Sequence, residues 1–529
     1  MAILSGSDTP QEFQTLQAIL RDRWHSFETD QEGDVDILVV PSFSVDQEEL
    51  QKIDGFLHYE ERLLFSLIRL RNPRTRLIYV MSQPLPPIVI DYYLQLLPGI
   101  PFSHARDRLL LVPLYDQSLK PLSQKILERP RLMERIRKAL RSDRAYMVCY
   151  NSTVLERELS VQLGIPLLAA DPKLLYWGTK SGSRQIFEEC GIPLPDGSPL
   201  VKTVDELVHE TARLWTRHPD LRRVVIKLNE GFSGEGNGIL ELASMSGKLS
   251  SAPTVKEREA LIQDHLQNIR FESATESWDH YGARIPLLGA IVEAFIEGHP
   301  KYSPSFQGRV NPTGEVEALS THDQILGGPN GQVYLGCRFP ALESYRLQLQ
   351  VLGMKVGQNL AKKGVYERFG VDFVVVPKSG RAGGTEEWDV QAIEINLRKG
   401  GTTHPFMTLK LLTNGNYDIE TGLFTSPKRI PKYYVASDNL QKPYYKGLLP
   451  NDLMDIVAHH RLHFESGSEI GSVFHLMGCL SEFGKVGLTS IGNSPEEADA
   501  IYRHVVDVLD TETQADETLR PAQPLAWCL

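Results

Sequence analysis

The sequence predicts an α/β N-terminal domain, then a larger α+β core, then a small α+β C-terminal domain. Three observations carry this. The first 175 residues alternate apolar strand runs with helical patterns, the order that builds a mainly parallel sheet. From residue 176 to 418 the texture changes to strands joined by glycine-rich turns. From 419 to 529 a helix, a hairpin-like pair of strands and a last helix precede a polar tail.

The elements follow in order. Val35–Val40, Arg76–Met81, Leu109–Leu114 and Ala145–Tyr150 read as buried strands, with helical patterns from about Gln47 and over Leu119–Leu140. No GxGxxG follows the first strand, so no dinucleotide site is assigned there. Thr203 to Glu206 is a capping box that opens a helix to about Arg217. The strand Arg223–Leu228 runs straight into Asn229–Gly238, a glycine-rich loop. Residues 243–253 read as a loop, 255–268 as a helix, and 290–296 as a strand ending at Glu297. The core closes with two strand runs, 370–376 and 393–396, around the turn-rich segment 377–384. In the last part a helix over 451–464 precedes strands at 473–478 and 486–491. Ser494 and Pro495 then start a final helix to about Leu509, with a mobile tail expected from Asp510.

Composition narrows the class. At 529 residues the chain holds several buried cores, and a net charge of −11 argues against a broad nucleic-acid or membrane-binding face. Five cysteines without a CxxC pair argue against a disulfide framework or a structural zinc. The polar start and the lack of a bilayer-length apolar run predict a soluble, cytoplasmic protein.

The most informative residues are Asp372, Glu394 and Asn396. Glu394 and Asn396 are two apart, so on a strand they share a face. A hairpin centred near Gly383 and Gly384 places Asp372 opposite both. Like charges facing each other across strands repel, so the patch wants a cation. A few oxygen donors suit Mg²⁺, which keeps water and phosphate in its other positions. Glycines in the loop, among them Gly231, Gly234 and Gly236 beside Ser233, let backbone N–H groups approach phosphate. Such a loop alone is an ordinary turn, and it lacks the Gly-Lys-Ser/Thr ending of a Walker A motif. Lys227 on the strand feeding it changes the reading, because a lysine in an apolar strand either reaches the surface or neutralises a buried anion. Lys180 opens another helical segment and is a second phosphate candidate. Arg398 and Arg338 are candidate anion binders able to make two-pronged hydrogen bonds. His404 reads as structural. His475 and Lys485 are candidates for a substrate pocket, His475 more simply as a core histidine, and His322 and Asp323 lie in a segment without a clear pattern.

In this order, Lys180, Lys227 with its loop, the run Val292–Glu297, Asp372 and the pair Glu394/Asn396 resemble the ATP-grasp superfamily. The wording from Ile393 to Phe406, with the ending Phe474–Gly478, is similar to the pheganomycin-type peptide ligases. The resemblance implies a pre-ATP-grasp domain (1–175), an ATP-grasp core (176–418) and a distinctive C-terminal domain (419–529). It implies ATP with Mg²⁺, Mn²⁺ being an acceptable substitute, and an ADP-forming carboxylate–amine ligation through an acyl phosphate, with peptide-bond formation as one outcome. Asp372, Glu394 and Asn396 would hold metal. Lys180 and Lys227 would hold the α- and β-phosphates, Glu293 and Ile296 would meet adenine, and Glu297 the ribose. Expected partners are a small carboxylate and an amine, amino acid or peptide, with no nucleic acid or membrane; a homo-oligomer is left open. Two other readings stay open: a catalytically silent nucleotide-binding scaffold, and an ATP-grasp enzyme with another acceptor.

Overall fold

The computed structural model describes residues 9–28, 33–44, 50, 53–97, 99–231, 236–273, 276–328, 331–378 and 387–519. In the first third, β1 (Val35–Val40), β2 (Thr75–Met81), β3 (Leu109–Pro113), β4 (Ala145–Cys149) and β5 (Leu167–Leu168) form a parallel sheet in the order β3-β2-β1-β4-β5. β1 is buried along its whole length, as near-continuous apolar strands of a parallel sheet must be. Of the helix expected from Gln47, the described residue Leu50 is helical, and a 3-10 helix follows over Phe56–Arg71.

The core holds two antiparallel sheets. The smaller orders β8 (Arg270–Phe271), β7 (Asn237–Glu241), β6 (Arg223–Leu228) and β9 (Ala290–Ala294). The helix Val204–Arg217 starts at the expected capping box: Thr203 Oγ1 accepts from Glu206 N, and the Glu206 carboxylate accepts from Thr203 N. Its apolar face packs on this sheet through Leu207, Leu214 and Trp215.

The larger sheet has ten strands. Its main path is β14 (Trp388–Asn396), β13 (Glu367–Pro377), β10 (Pro304–Val310), β11 (Val316–Gly327), β12 (Val333–Phe339), β17 (Pro431–Gln441), β16 (Leu423–Thr425) and β15 (Asn416–Asp418). β18 (Gly471–His475) and β19 (Lys485–Gly492) join through β17. The pairing of β12 with β17 carries this sheet past residue 418, so the expected boundary there does not divide it. One hydrophobic core contains both Leu63 and Leu67 of the first part and Phe474, Leu488 and Val505 of the last, so the two ends of the chain pack together.

Several expectations change in detail. Residues 243–253 hold a short 3-10 turn and the helix Ser246–Ser251, not only loop. The last helix runs over Pro495–Leu519, beyond Leu509, because Leu509 and Thr513 stay buried and extend its inward face. Most of the turn between β13 and β14 lies outside the described residues. No helix among the described residues is long and apolar enough to cross a membrane.

Candidate active site

The β13–β14 hairpin sets the first part of the site. Asp372 pairs directly with Glu394, and Asn396 lies opposite Gly370, diagonal to Asp372 rather than facing it. A register shift between Asp372 and Phe373 marks a bulge beside the acidic pair, a device that re-aims side chains at functional places. All four carboxylate oxygens have donors. Asp372 accepts from Gln324 Nε2 at 2.8 Å and from Asn396 Nδ2 at 2.9 Å. Glu394 accepts from Asn396 Nδ2 at 3.1 Å and from the Lys180 ammonium. Burial and the Glu394 charge push the Asp372 carboxyl up. Burial opposes the Glu394 charge as well, but the Lys180 ammonium holds that carboxyl below the usual range. The patch therefore resists carrying two negative charges without a further cation.

Lys180 opens the helix Lys180–Cys190, where Thr179 Oγ1 caps Gly182 N at 3.1 Å. The helix is tied to two other parts of the site. Asn229, first residue of the glycine-rich loop, accepts from Ser181 N at 2.9 Å through its side chain and from Lys180 N through its carbonyl. Ser183 Oγ accepts from Ile395 N on β14 at 2.9 Å. Lys227 sits on β6, paired across to Ile291 on β9. Its ammonium lies 2.5 Å from Glu293 Oε2, and Arg184 Nη1 donates to Glu293 Oε1 at 2.6 Å. Burial disfavours the Glu293 charge, yet Lys227 and Arg184 together keep its carboxyl below the usual range.

Between the two sheets lies a cavity of about 580 Å³ lined by Lys227, Ile296, Asp372, Glu394, Asn396 and Arg398. It continues to Tyr59 and Arg62 of the first part and Asp438 and Lys485 of the last. The structure thus gathers most of the expected residues, with three qualifications. Glu293 is committed to Lys227 and Arg184, and Lys180 reaches the site through Glu394 rather than lining the cavity. Glu297 is not in the lining: Arg223 Nε donates to it at 3.0 Å. Gly231 and Gly236 close the described ends of the loop, where a Cβ on Gly236 would meet Gly231 Cα at 3.1 Å. Ser233 and Gly234 fall outside the described residues.

Arg338 needs a correction as a site residue. It points out of β12 and bridges to Asp499 of the last helix at 2.9 Å, in a separate cleft. Its neighbours Cys337 and Phe339 are buried, so strand alternation turns Arg338 to the other face. Conversely, Arg184 and Gln324 were not singled out. Arg184 was findable, since it lies one helical turn after Lys180 and so shares its face. Gln324 sits on β11, whose buried polar run Ser320-Thr321-His322 hides the strand pattern.

The donor set fits Mg-nucleotide. Among the described residues no group of three or more His, Cys, Asp or Glu side chains could cage a metal. Two half-buried carboxylates and an amide at a cavity that also holds Lys227 and Arg398 match a cation that shares its coordination with phosphate. A family model described as IQCH-like, ATP-grasp matches residues 173–261 and 251–420. The chain carries an ATP-grasp domain. Residues 452–505 match a second model, described as PGM1 C-terminal domain. Among curated proteins, the ATP-grasp chain is 28% identical over 474 residues to an L-propargylglycine--L-glutamate ligase of Streptantibioticus cattleyicolor, covering 88% of this chain and 92% of that protein. It is 23% identical over 428 residues to IQ motif-containing protein H of Danio rerio, covering 74% of this chain and 40% of that protein. Among solved structures, pyruvate carboxylase T882A of Rhizobium etli superposes with a TM-score of 0.50 at 14% identity, covering 89% of this chain and 37% of that one. That likeness is one of fold.

Proposed function

We propose that this ATP-grasp chain is an ATP-dependent, ADP-forming ligase that joins a carboxylate to an amine, with an amide of the peptide type as product. The observation that supports it most is the register pairing of Asp372 with Glu394 on the wall of a cavity that also holds Lys227 and Arg398. The relative named as a ligase of two amino acids supports the choice of amino acids as the first substrates to try.

In this reading Asp372, Glu394 and Asn396 hold Mg²⁺, which neutralises charge on the phosphates. Lys180 and Lys227 exchange their carboxylate partners, Glu394 and Glu293, for phosphate oxygens. Ser233, Gly234 and the loop ends Gly231 and Gly236 donate backbone N–H groups to phosphate, and Ile296 borders the adenine. Arg398 steadies the substrate carboxylate and then the transferred phosphoryl group. The substrate carboxylate oxygen attacks the γ-phosphorus as the bond to ADP breaks, giving an acyl phosphate. The amine nitrogen attacks the acyl carbon, the carbon–oxygen bond to phosphate breaks, and the ammonium proton passes to solvent. No nucleophilic side chain is needed.

The division of labour belongs to the same proposal: residues 176–418 bind nucleotide, and 1–175 with 419–529 complete the substrate side. A reducing, cytoplasmic setting is proposed as well, in keeping with the free thiols of Cys149, Cys190, Cys337 and Cys479. The test is an ADP-release screen over amino acids and short peptides, with mass spectrometry of the products. ADP release with an amide product supports the ligase. Nucleotide binding without ADP release above the Glu394→Gln background would overturn it.

A further inference from the structure

The cavity extends well past the metal and phosphate groups, and its far end has a different chemistry. That end is built by parts of the chain outside the nucleotide-binding core: Tyr59 and Arg62 on the 3-10 helix Phe56–Arg71, Tyr150 after β4, Asp438 on β17 and Lys485 at the start of β19. Two cations and two carboxylates line it, and one of the carboxylates, Asp54, is exposed to solvent. Arg62 and Lys485 are only 8% and 4% exposed, and one buried carboxylate, Asp438, faces them. Asp438 is taken by the Arg62 guanidinium. Arg62 is further fixed by donating to Tyr150 Oη at 3.0 Å and by lying 3.9 Å over the Tyr59 ring.

Lys485 is left without an anionic partner in contact. Its ammonium donates to the neutral hydroxyl of Tyr59 at 2.8 Å and lies 5.0 Å from that ring. No carboxylate among the described residues is within ion-pair distance of it. An ammonium has three donors, and holding one in a buried site without a counter-charge is costly. Burial accordingly pulls the Lys485 ammonium below its usual range. The exposed carboxylate of this end, Asp54, accepts from the Gln441 amide at 3.1 Å, and it acts on Lys485, as Asp438 does, only by attraction beyond contact. Gln441 is the cross-strand partner of Lys485. The cavity therefore carries carboxylates at the metal end and, at the other, a buried ammonium with no carboxylate in contact.

We propose that Lys485, positioned by Tyr59, binds the free carboxylate of the amine substrate, so that this substrate is an α-amino acid or a short peptide with a free C-terminus. This rests on the ligase reading above. The carboxylate bound at Lys485 is not the one that is activated; it stays free in the product. An anion there gives Lys485 a charged partner in contact, while the amine end of the same molecule extends toward Arg398 and the acidic pair. Charge-assisted hydrogen bonds to a buried ammonium are among the stronger polar contacts. Loss of one corresponds to roughly 10- to 100-fold in binding.

The experiment offers the protein Mg-ATP with equal amounts of free amino acids and dipeptides and of their C-terminal amides, and reads products by mass. The wild type is expected to favour free-acid acceptors over their amides by about ten-fold or more. In Lys485→Met that preference falls to about one, while Lys485→Arg keeps it. Binding of a fluorescent ADP analogue stays unchanged in both variants. Equal use of acids and amides by the wild type overturns the proposal, as does a preserved preference in Lys485→Met. If Lys485→Met does not fold, the wild-type comparison alone still decides. Nucleotide binding with no product from any acceptor overturns the ligase reading itself, an outcome distinct from a ligase indifferent to the acceptor's carboxylate.

Discussion

Glu394 and Lys227 each make a separate prediction. Glu394 accepts from both Lys180 and Asn396, so Glu394→Gln removes charge with little change of shape. ADP release is expected to fall by about 10² to 10³, the scale of losing one preorganised charged group, with the thermal melt unchanged. Lys227 is held by a carboxylate that Arg184 also satisfies. Lys227→Met therefore leaves Glu293 paired, and steady-state kinetics should show the KM for ATP raised roughly ten-fold while the fold persists. The placing of Asp372 against Glu394 was readable from side-chain alternation and the position of the turn. The commitment of Glu293 to Lys227 and Arg184 was not. It depends on the helix Lys180–Cys190 packing beside β9, a contact between segments more than a hundred residues apart.

At the scale of elements, the helix Glu343–Lys362 lies on the large sheet through small residues. A Cβ on Gly353 would stand 2.1 Å from the Phe306 ring. Gly353→Ala should lower stability by about 1–3 kcal/mol through overpacking, seen as an earlier midpoint in denaturant. Buried histidines give a second prediction. Burial pushes His322 and His475 down to about 3, and His404, stacked on His475 at 3.9 Å, is lowered too. The unfolded chain binds these protons near 6.5 and the folded chain does not. Stability is therefore full above that pH and is lost as pH falls from 6.5 toward 3, by up to about 1.4 kcal/mol per pH unit for each histidine. Thermal melts from pH 7.5 to 5 should show a falling midpoint, and His475→Gln should shallow the slope. β11 escapes the sequence pattern because its buried residues are polar on both faces, Ser320, Thr321 and His322 in a row, so the apolar alternation that marks a half-buried strand is missing.

The whole molecule is more continuous than its linear order suggests. β17 pairs with β12, and the Arg62–Asp438 ion pair ties the first part of the chain to the last. A chain ending at Asp418 would expose the β12 edge and uncover the shared core, so it should give no cooperative unfolding transition by circular dichroism. Arg62→Met should cost about 3–5 kcal/mol, since it strands Asp438 in a buried site. Chemical denaturation would measure it.

Local order was written in the chain: the parallel strands of the first third, the capped helix at Val204 and the acidic hairpin all follow from periodicity and turn chemistry, which act over a few residues. The far end of the cavity was not. Tyr59 lies hundreds of positions before Asp438 and Lys485, and no pattern between neighbours says that they meet. They meet because a sheet that runs past residue 418 and a core shared by both ends of the chain bring β17 and β19 against the 3-10 helix at Phe56.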